Sequence, residues 1–228
     1  MLDFLDDVFS LGEGVSVELD VTADKRLGYL LSAPYGTIFV ENRYTAWANY
    51  YPHRTLKNIW SLSRFIPSSK LQFEIVNPEL YTDKYSSTDE LRPELYDIDY
   101  LFASVMLSNP LFWMETQFLT DKCRARLKYI IPLWKKWRNE LGAADVFPIG
   151  EEPNGRAMTG FVAHLGNKAH LLVFREVTER NTYTFDIGND FTEGNLIASN
   201  SDVNFKFEKG KVIASFDKMR SYAWIELK

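Results

Sequence analysis

The sequence predicts a mixed fold, with an α/β pattern over residues 1–144 and an all-β pattern over residues 145–228. Three observations lead to this prediction. Strand patterns alternate with helical patterns in the first part, short strands with turn signals follow in the second, and the change falls at Gly142–Asp145. Strands separated by helical crossovers form parallel sheets, whereas short strands joined by turns are typical of antiparallel sandwiches.

Four segments of the first part have strand patterns. Val15–Val21 alternates strictly between apolar and polar residues, and so does most of Leu71–Val76. Thr37–Arg43 is an apolar run that ends in three polar residues, and Leu111–Met114 is a short strand-like piece. A period of two residues places the apolar side chains on one face of each strand.

Helical patterns separate these strands. Pro52–Phe65 has apolar residues at helical spacing and predicts a crossover helix. A long loop, residues 77–97, precedes a helix over Tyr100–Leu107, and a further helix runs from Asp121 to about Leu141. Pro132 lies inside that last helix and predicts a kink or a break there.

The second part contains short strands at regular spacing, with Gly166 and Gly210 in turns between them. Four strands with helical crossovers make half of an eight-stranded barrel. We therefore expect a partial (β/α)8 barrel over residues 1–144 and an antiparallel β-sandwich over residues 145–228. The predicted strands of the sandwich are Thr159–Leu165, His170–Val177, Thr182–Ile187, Val203–Glu208, Lys211–Phe216 and Tyr222–Leu227.

The composition excludes several classes of protein. The chain has 228 residues, of which 46% are hydrophobic and 15% aromatic, so it can bury a core. A net charge of -5 argues against a nucleic-acid partner. A single cysteine, Cys123, excludes an internal disulfide and fits a cytoplasmic location. No apolar run is long enough for a membrane helix, so no membrane partner is expected.

The first residues, Met1–Phe9, carry three aspartates and no basic residue, so they do not form a signal peptide. They have the pattern of an amphipathic helix that ends before Gly12. Because the chain begins within such a pattern, we expect it to be a fragment of a longer one. An incomplete barrel exposes a sheet edge, so we also expect homo-oligomers or aggregates.

Polar residues converge at the predicted mouth of the barrel. Strand alternation gives one inward-facing set, in which the acidic members are Glu18, Asp20, Glu41 and Glu74. Catalytic groups of such barrels lie at the carboxyl ends of the strands. The alternative is that these are ordinary strand-end residues held by ion pairs. Arg43 of the same set is a further candidate for binding substrate. The remaining inward-facing residues are Ser16, Thr37, Phe39 and Gln72.

Glu41 is the candidate catalytic residue. It follows the apolar run Ile38–Val40, and the aromatic side chains of Tyr44 and Trp47 come soon after it. Aromatic walls would desolvate the carboxyl and raise its pKa, as a general acid requires. The alternative is a structural carboxylate paired with Arg43 or Arg26.

The loops after the strands are rich in aromatic residues, which can stack on sugar rings. Trp47 follows the second strand, Asn77 begins the loop after the third, and Trp113 lies in the fourth. We predict that these three contact substrate, although packing of the loops against the barrel, or of Trp113 under the last helix, is the alternative. Further aromatic residues in these loops are Tyr50, Tyr51, Tyr81, Tyr85, Tyr96 and Tyr100.

We predict no cofactor and no metal. His164 and His170 have no third ligand nearby at metal spacing, and Cys123 has no pattern of a catalytic cysteine. Gly12 and Gly14 are not followed by the helix that a dinucleotide site needs.

The order and spacing of several segments resemble the C-terminal part of α-galactosidase-type glycoside hydrolases, family 36 and its relatives. Where that family has Ser-Asp-Asn, this chain has Val40-Glu-Asn42, so a glutamate replaces the aspartate of the proton donor. The segments that carry the resemblance are Glu18, Arg26 with Gly28, Glu41-Asn42, the helix at Leu56, Asn109–Trp113, Trp134–Arg138, Thr159–Phe161 and Leu172–Glu176.

The resemblance implies a retaining glycosidase that cleaves α-glycosidic bonds of oligosaccharides with two carboxylates about 5–5.5 Å apart. It implies that Glu41 is the acid/base, that Glu18, Asp20 and Arg26 bind sugar hydroxyls, and that the nucleophile lies on an earlier strand outside this chain. We therefore expect the isolated chain to be inactive. The alternatives are a noncatalytic carbohydrate-binding or structural protein, or a related glycosyl transferase.

Overall fold

The computed structural model describes residues 2–20, 28–188 and 191–228. Its first part contains four parallel strands, each paired with the next along the chain. The strands are β1 (Val17–Asp20), β2 (Gly36–Phe39), β3 (Leu71–Ile75) and β4 (Asn109–Phe112). Because all four run in the same direction, their carboxyl ends meet at one edge of the sheet.

Helices connect and cover these strands. The helices are α1 (Leu2–Phe9), α2 (Tyr29–Ser32), α3 (Pro52–Leu62), α4 (Ile98–Val105) and α5 (Asp121–Ala143). α3 begins with proline at its first position, where a missing N–H costs nothing. α5 begins after Thr120, whose hydroxyl accepts a hydrogen bond from the backbone N–H of Cys123 at 3.3 Å.

The parallel sheet buries one face under the helices. Ile38, Leu71, Phe73 and Ile75 are fully buried in a hydrophobic cluster with α3 and α4. The register pairs Glu18 with Thr37 and Phe39 with Gln72. These residues therefore share the opposite face, which carries the polar side chains.

Eight further strands form two antiparallel sheets. The five-stranded sheet has the order β5 (Asp145–Gly150), β6 (Met158–Leu165), β7 (Lys168–Arg175), β12 (Ser221–Leu227) and β9 (Gly194–Ser199). The three-stranded sheet has the order β10 (Val203–Glu208), β11 (Lys211–Phe216) and β8 (Thr182–Asp186). Buried residues of both sheets, among them Val173, Ile225, Phe185 and Val212, form one hydrophobic cluster.

The antiparallel part packs against the helices. The rings of Tyr100 in α4 and Phe174 in β7 are 5.3 Å apart, and Trp60 in α3 donates to the carbonyl oxygen of Ile149 at 3.4 Å. One cluster of buried residues includes side chains from both parts. α5 ends at Ala143 and β5 begins at Asp145, where the sequence pattern changes, and the division into two domains stays a prediction.

The structure differs from the sequence-based expectation in several elements. A break at Pro132 is absent, because α5 is one helix from Asp121 to Ala143, and the kink expected as the alternative stays a prediction. α2, β5 and β9 were not predicted. β5 contains Pro148, which argues against a central strand, but β5 lies at the edge of its sheet, where proline is tolerated.

Within the described residues, no helix has the length and apolar character needed to cross a membrane.

Candidate functional site

Two glutamates lie close to the carboxyl ends of β2 and β3. The side chain of Glu41, two residues after β2, is 6% exposed, and that of Glu74 in β3 is 1% exposed. Arg43 connects them, because its backbone N–H donates to Glu74 Oε1 and its guanidinium lies 3.0 Å from Glu41 Oε2. The structure therefore brings three of the inward-facing residues into one polar cluster.

The Glu41 carboxylate is also bound to α3. The Thr55 hydroxyl donates to Oε1, and the Asn58 amide donates to Oε2 at 2.6 Å. Burial raises the pKa of Glu41, against the opposing influence of Arg43 and of these two donors. Arg26, the other cation considered for Glu41, lies outside the described residues.

The Glu74 carboxyl is the more isolated of the two. Burial raises its pKa to about 7, against the backbone N–H of Arg43 and with a smaller contribution from the charge of Glu41. Its Oε2 is buried and has no hydrogen-bond partner in the described structure. A group with these properties can hold a proton near neutral pH.

Several aromatic residues of the loops are core residues and not sugar platforms. The side chains of Tyr50, Tyr85, Tyr96 and Tyr100 are buried. Burial raises the pKa of Tyr50 well above its usual range, so its hydroxyl stays protonated. The interpretation that these four residues stack on a sugar is therefore wrong, because packing of the loops covers them.

The exposed aromatic residues instead surround a cleft of about 490 Å³. Trp47 is 57% exposed and Trp113 is 56% exposed. The Tyr44 ring makes edge contacts with Trp47 at 5.9 Å and with Tyr81 at 5.7 Å. We call this the aromatic cleft, and the residues that line it are Tyr44, Trp47, Phe112, Trp113, Met114 and Glu115.

The strands position the aromatic cleft. Tyr44 and Trp47 follow β2, whereas Phe112 ends β4 and Trp113 follows it. The Trp113 backbone N–H donates to the carbonyl oxygen of Ile75 at 3.2 Å, which fixes it beside the last residue of β3. The aromatic cleft therefore lies over the carboxyl ends of the parallel strands. Substrates of α/β proteins commonly bind at this edge.

Glu115 is a residue of the cleft that the sequence did not single out. The Tyr44 hydroxyl donates to its Oε1, and its Oε2 is buried without a partner in the described structure. The sequence feature that could have identified Glu115 is its position three residues after β4. Glu41 has a similar position, two residues after β2.

The remaining predicted substrate-binding residues lie elsewhere. Glu18 is exposed in β1 and lines a second cavity, of about 390 Å³, together with Lys70. It pairs with Thr37, four residues before Glu41, which corresponds to roughly 13 Å along a strand. Asp20 is exposed at the end of β1. The structure therefore does not bring Glu18 next to Glu41.

Asn77 lies directly beyond β3 and is 1% exposed. Its Oδ1 accepts a hydrogen bond from the backbone N–H of Glu79 at 3.0 Å, which stabilises the start of the loop. Its Nδ2 is buried without a hydrogen-bond partner in the described structure. Contact of Asn77 with a substrate stays a prediction, as does the catalytic assignment of Glu41.

Metal ligands were not predicted for this chain. Among the described residues, no group of three or more histidine, cysteine, aspartate or glutamate side chains is placed to hold a metal ion. Cys123 is a free, buried thiol, and burial raises its pKa to about 11.

No family model matches the sequence, and no curated protein matches it. Several solved structures match over the whole chain. A GH36 α-galactosidase from Geobacillus stearothermophilus in complex with raffinose has a TM-score of 0.64 at 14% identity, covering 99% of this chain and 30% of that one. The galactosidase domain of an α-galactosidase-sucrose kinase has a TM-score of 0.63 at 12% identity, covering 99% and 31%.

An Anoxybacillus α-amylase has a TM-score of 0.62 at 13% identity, covering 99% of this chain and 55% of that one. At these identities the similarity establishes a glycoside-hydrolase-like fold and does not distinguish between the families. The chain spans about a third of the length of the two α-galactosidase structures.

Proposed function

We propose that this chain is the C-terminal part of an α-galactosidase-like glycoside hydrolase, in which residues 1–144 form half of a (β/α)8 barrel and residues 145–228 form a β-sandwich. The similarity to α-galactosidases and α-amylases supports a carbohydrate-related function for this fold. The parallel order of β1 to β4 supports the barrel half.

The aromatic cleft is the observation that carries the proposal. Exposed indole rings are expensive to leave in water, and Trp47 and Trp113 are both more than half exposed. Aromatic faces stack on the apolar faces of sugar rings, while a carboxylate such as Glu115 accepts hydrogen bonds from sugar hydroxyls. The cleft therefore offers both kinds of contact that a glycoside needs.

The proposed reaction is retaining hydrolysis of an α-glycosidic bond, with Glu41 as the acid/base. Burial raises the pKa of Glu41, as protonation of a leaving oxygen requires. The nucleophile would come from residues outside these 228, so that both carboxylates meet only in a longer polypeptide. To reach the leaving oxygen, Glu41 has to exchange one of its contacts with Thr55 or Asn58.

One observation favours a second candidate, a noncatalytic carbohydrate-binding protein. Glu41 is 6% exposed and is bound by Thr55, Asn58 and Arg43 at once. Two hydrogen-bond donors and an ion pair on one carboxylate are also the pattern of a structural anchor between a strand and a helix.

An assay with an aryl α-galactoside tests whether this chain supplies the acid/base but not the nucleophile. We expect no turnover by the 228-residue chain alone, because the nucleophile is absent. Added azide can replace it: azide attacks the anomeric carbon, the glycosidic C–O bond breaks, and Glu41 gives its proton to the departing oxygen. We expect slow formation of glycosyl azide that is lost in Glu41→Gln and retained in the control Glu152→Gln.

Each outcome of this assay separates the candidates. Robust hydrolysis without azide would contradict the absence of a nucleophile. If the chain binds the glycoside but shows no turnover that depends on azide and on Glu41, the noncatalytic candidate is favoured. Absence of binding would contradict both candidates.

A further inference from the structure

The aromatic cleft carries charge of one sign. Four of its six lining residues are aromatic, one is a glutamate, and none of the described lining residues is basic. The face of an aromatic ring carries partial negative charge and attracts cations within about 6 Å of the ring centre. The rings and the carboxylate of Glu115 therefore favour the same sign of charge in a ligand.

Both oxygens of Glu115 limit what the cleft can bind. Oε1 is occupied, because the Tyr44 hydroxyl donates its hydrogen to it. Oε2 is buried and without a partner in the described structure, and a carboxylate oxygen can only accept. Because Oε2 has almost no exposed surface, a ligand N–H or O–H reaches it only when the Glu115 side chain turns toward the cleft, and the ligand then satisfies an acceptor that is costly to leave unpaired.

The Tyr44 hydroxyl adds to the preference of the cleft for ligands that donate hydrogen bonds. Since its hydrogen points to Glu115, the phenolic oxygen can only accept a hydrogen bond from a ligand. Burial and the neighbouring Glu115 raise the pKa of Tyr44, so the hydroxyl stays protonated and keeps this orientation. An ammonium group supplies three donors and no acceptor, which matches two acceptors in one cleft.

Arg43, the basic residue that precedes Tyr44 in the chain, does not neutralise the negative charge of the cleft. The guanidinium of Arg43 lies 3.0 Å from Glu41 and is not part of the cleft lining. Lys84, in the loop that carries Tyr81, lies 3.6 Å from the carboxylate of Asp83.

From these observations we propose that the aromatic cleft is an amino-sugar site: it binds glycosides that carry a protonated amine more tightly than neutral glycosides, and it excludes uronic acids. This inference rests on the proposed carbohydrate function and specifies its substrate class. The amine would bind the Glu115 carboxylate, which turns Oε2 toward the ligand, and lie against the rings of Trp47 and Trp113. A charge-assisted hydrogen bond is about twice as strong as one between neutral groups.

Tryptophan fluorescence with four ligands of one configuration tests the proposal. The ligands are methyl α-galactoside, its 2-amino-2-deoxy and 6-amino-6-deoxy derivatives, and galacturonate, at about pH 6, where such amines are protonated. We expect at least one amino sugar to bind about 10-fold more tightly than methyl α-galactoside, and galacturonate to bind more weakly than both. N-acetylation of the preferred amino sugar should remove its advantage.

Substitution of Glu115 provides the matched comparison. In Glu115→Gln, which keeps the shape and removes the charge, the advantage of the preferred amino sugar over methyl α-galactoside should fall to about 2-fold or less. The control Glu152→Gln removes an exposed carboxylate that pairs with Lys57 outside the cleft, and it should keep the advantage. Tyr44→Phe keeps the Glu115 charge and the ring but removes the second acceptor, so it should reduce the advantage less than Glu115→Gln does.

The outcomes separate this inference from the proposed function. If the neutral galactoside binds, Trp113→Ala weakens it, and neither amino sugar binds more tightly, the carbohydrate function stands and the amino-sugar inference is overturned. If the advantage persists in Glu115→Gln, the assignment to Glu115 is overturned. If no sugar binds to the folded chain, both fail.

Discussion

Glu74 is the residue whose ionisation has the clearest consequence for stability. Its pKa is about 7 in the folded chain, whereas the reference value is 4.5. Below about pH 4.5 the carboxyl is protonated in both states. Between that pH and about 7 the unfolded chain loses a proton that the folded chain keeps, so rising pH favours unfolding.

We therefore predict that Glu74 makes the chain less stable at about pH 8 than at about pH 5, by up to about 3 kcal/mol. Glu74→Gln should remove this part of the pH dependence and stabilise the chain at the higher pH, as measured by urea unfolding at both pH values. Glu208→Gln, an exposed control at 47% side-chain exposure, should leave the pH dependence unchanged. If the stability of Glu74→Gln changes with pH as much as that of the unmodified chain, Glu74 is ionised in the folded chain.

At the scale of residues, the sequence identified which side chains share a face but not which of them meet. Strand alternation places Glu41 and Glu74 on one face, and the structure joins them through Arg43. Alternation does not define a residue beyond the end of a strand, so Glu115 was missed. The same limit explains Tyr50, since its burial depends on how the loop folds back over the sheet.

At the scale of elements, α5 shows how a proline is accommodated inside a helix. Pro132 is exposed in the middle of this 23-residue helix, and it cannot donate a hydrogen bond to the carbonyl of Lys128. The neighbouring turns are held by Ile130, which is fully buried, and by Trp134, which donates to the carbonyl oxygen of Met106 at 2.8 Å. Packing of one face therefore keeps the helix continuous.

We predict that Pro132→Ala stabilises the chain by about 1–3 kcal/mol, because alanine restores the hydrogen bond and its side chain is small enough for the exposed site. The measurement is the midpoint of urea unfolding, compared at a constant slope m of the free energy of unfolding against urea concentration. Lys135→Ala, at another exposed position of α5, should change stability by less than about 0.5 kcal/mol. A lower midpoint for Pro132→Ala would show that the proline ring itself contributes to packing.

The two strands that the sequence missed share a physical cause. β5 contains a proline, and β9 has four polar or small residues among six, so neither has a strong alternating pattern. Both lie at the edges of the five-stranded sheet, where partner strands supply the stability that the local sequence lacks. The predicted central strands, such as β6 and β7, carry continuous apolar runs.

At the scale of the whole molecule, a network of charges joins the helices to the antiparallel strands. Asp99 at the start of α4 is 2% exposed, and Arg126 of α5 lies 3.1 Å from both of its carboxylate oxygens. The Tyr222 hydroxyl of β12 donates to the same carboxylate at 3.4 Å, and Lys218 lies 3.3 Å from Asp97. These two aspartates therefore connect α4 and α5 with the distant C-terminal part of the chain.

We predict that Arg126→Met destabilises the chain by about 3 kcal/mol, because it leaves the Asp99 carboxylate buried and unpaired. Lys122→Met is the matched control, since the Lys122 side chain is 66% exposed and, within the part of the chain that the structure describes, pairs with Asp97 alone, so it should cost less than about 1 kcal/mol. Urea unfolding followed by far-ultraviolet circular dichroism and by tryptophan fluorescence should give the same midpoint for each variant. Equal losses in both variants would contradict the assigned role of Asp99.

The order of the elements was predictable, because crossovers of helical period separate the parallel strands and turn residues separate the antiparallel ones. The contacts between the two parts were not, because they involve residues such as Asp99 and Tyr222 that are 123 positions apart. The aromatic cleft was unpredictable for the same reason, since Trp47 and Trp113 line one cleft only when β2, β3 and β4 are aligned.

The central claim is that the aromatic cleft binds carbohydrate, and the indole N–H signals of the six tryptophans test it most directly. In a two-dimensional nitrogen–proton NMR spectrum, addition of a galactoside should shift the signals of Trp47 and Trp113. The signal of Trp224, which is fully buried and donates to His170, should stay in place. No shift of Trp47 and Trp113, or shifts confined to other tryptophans, would contradict the account.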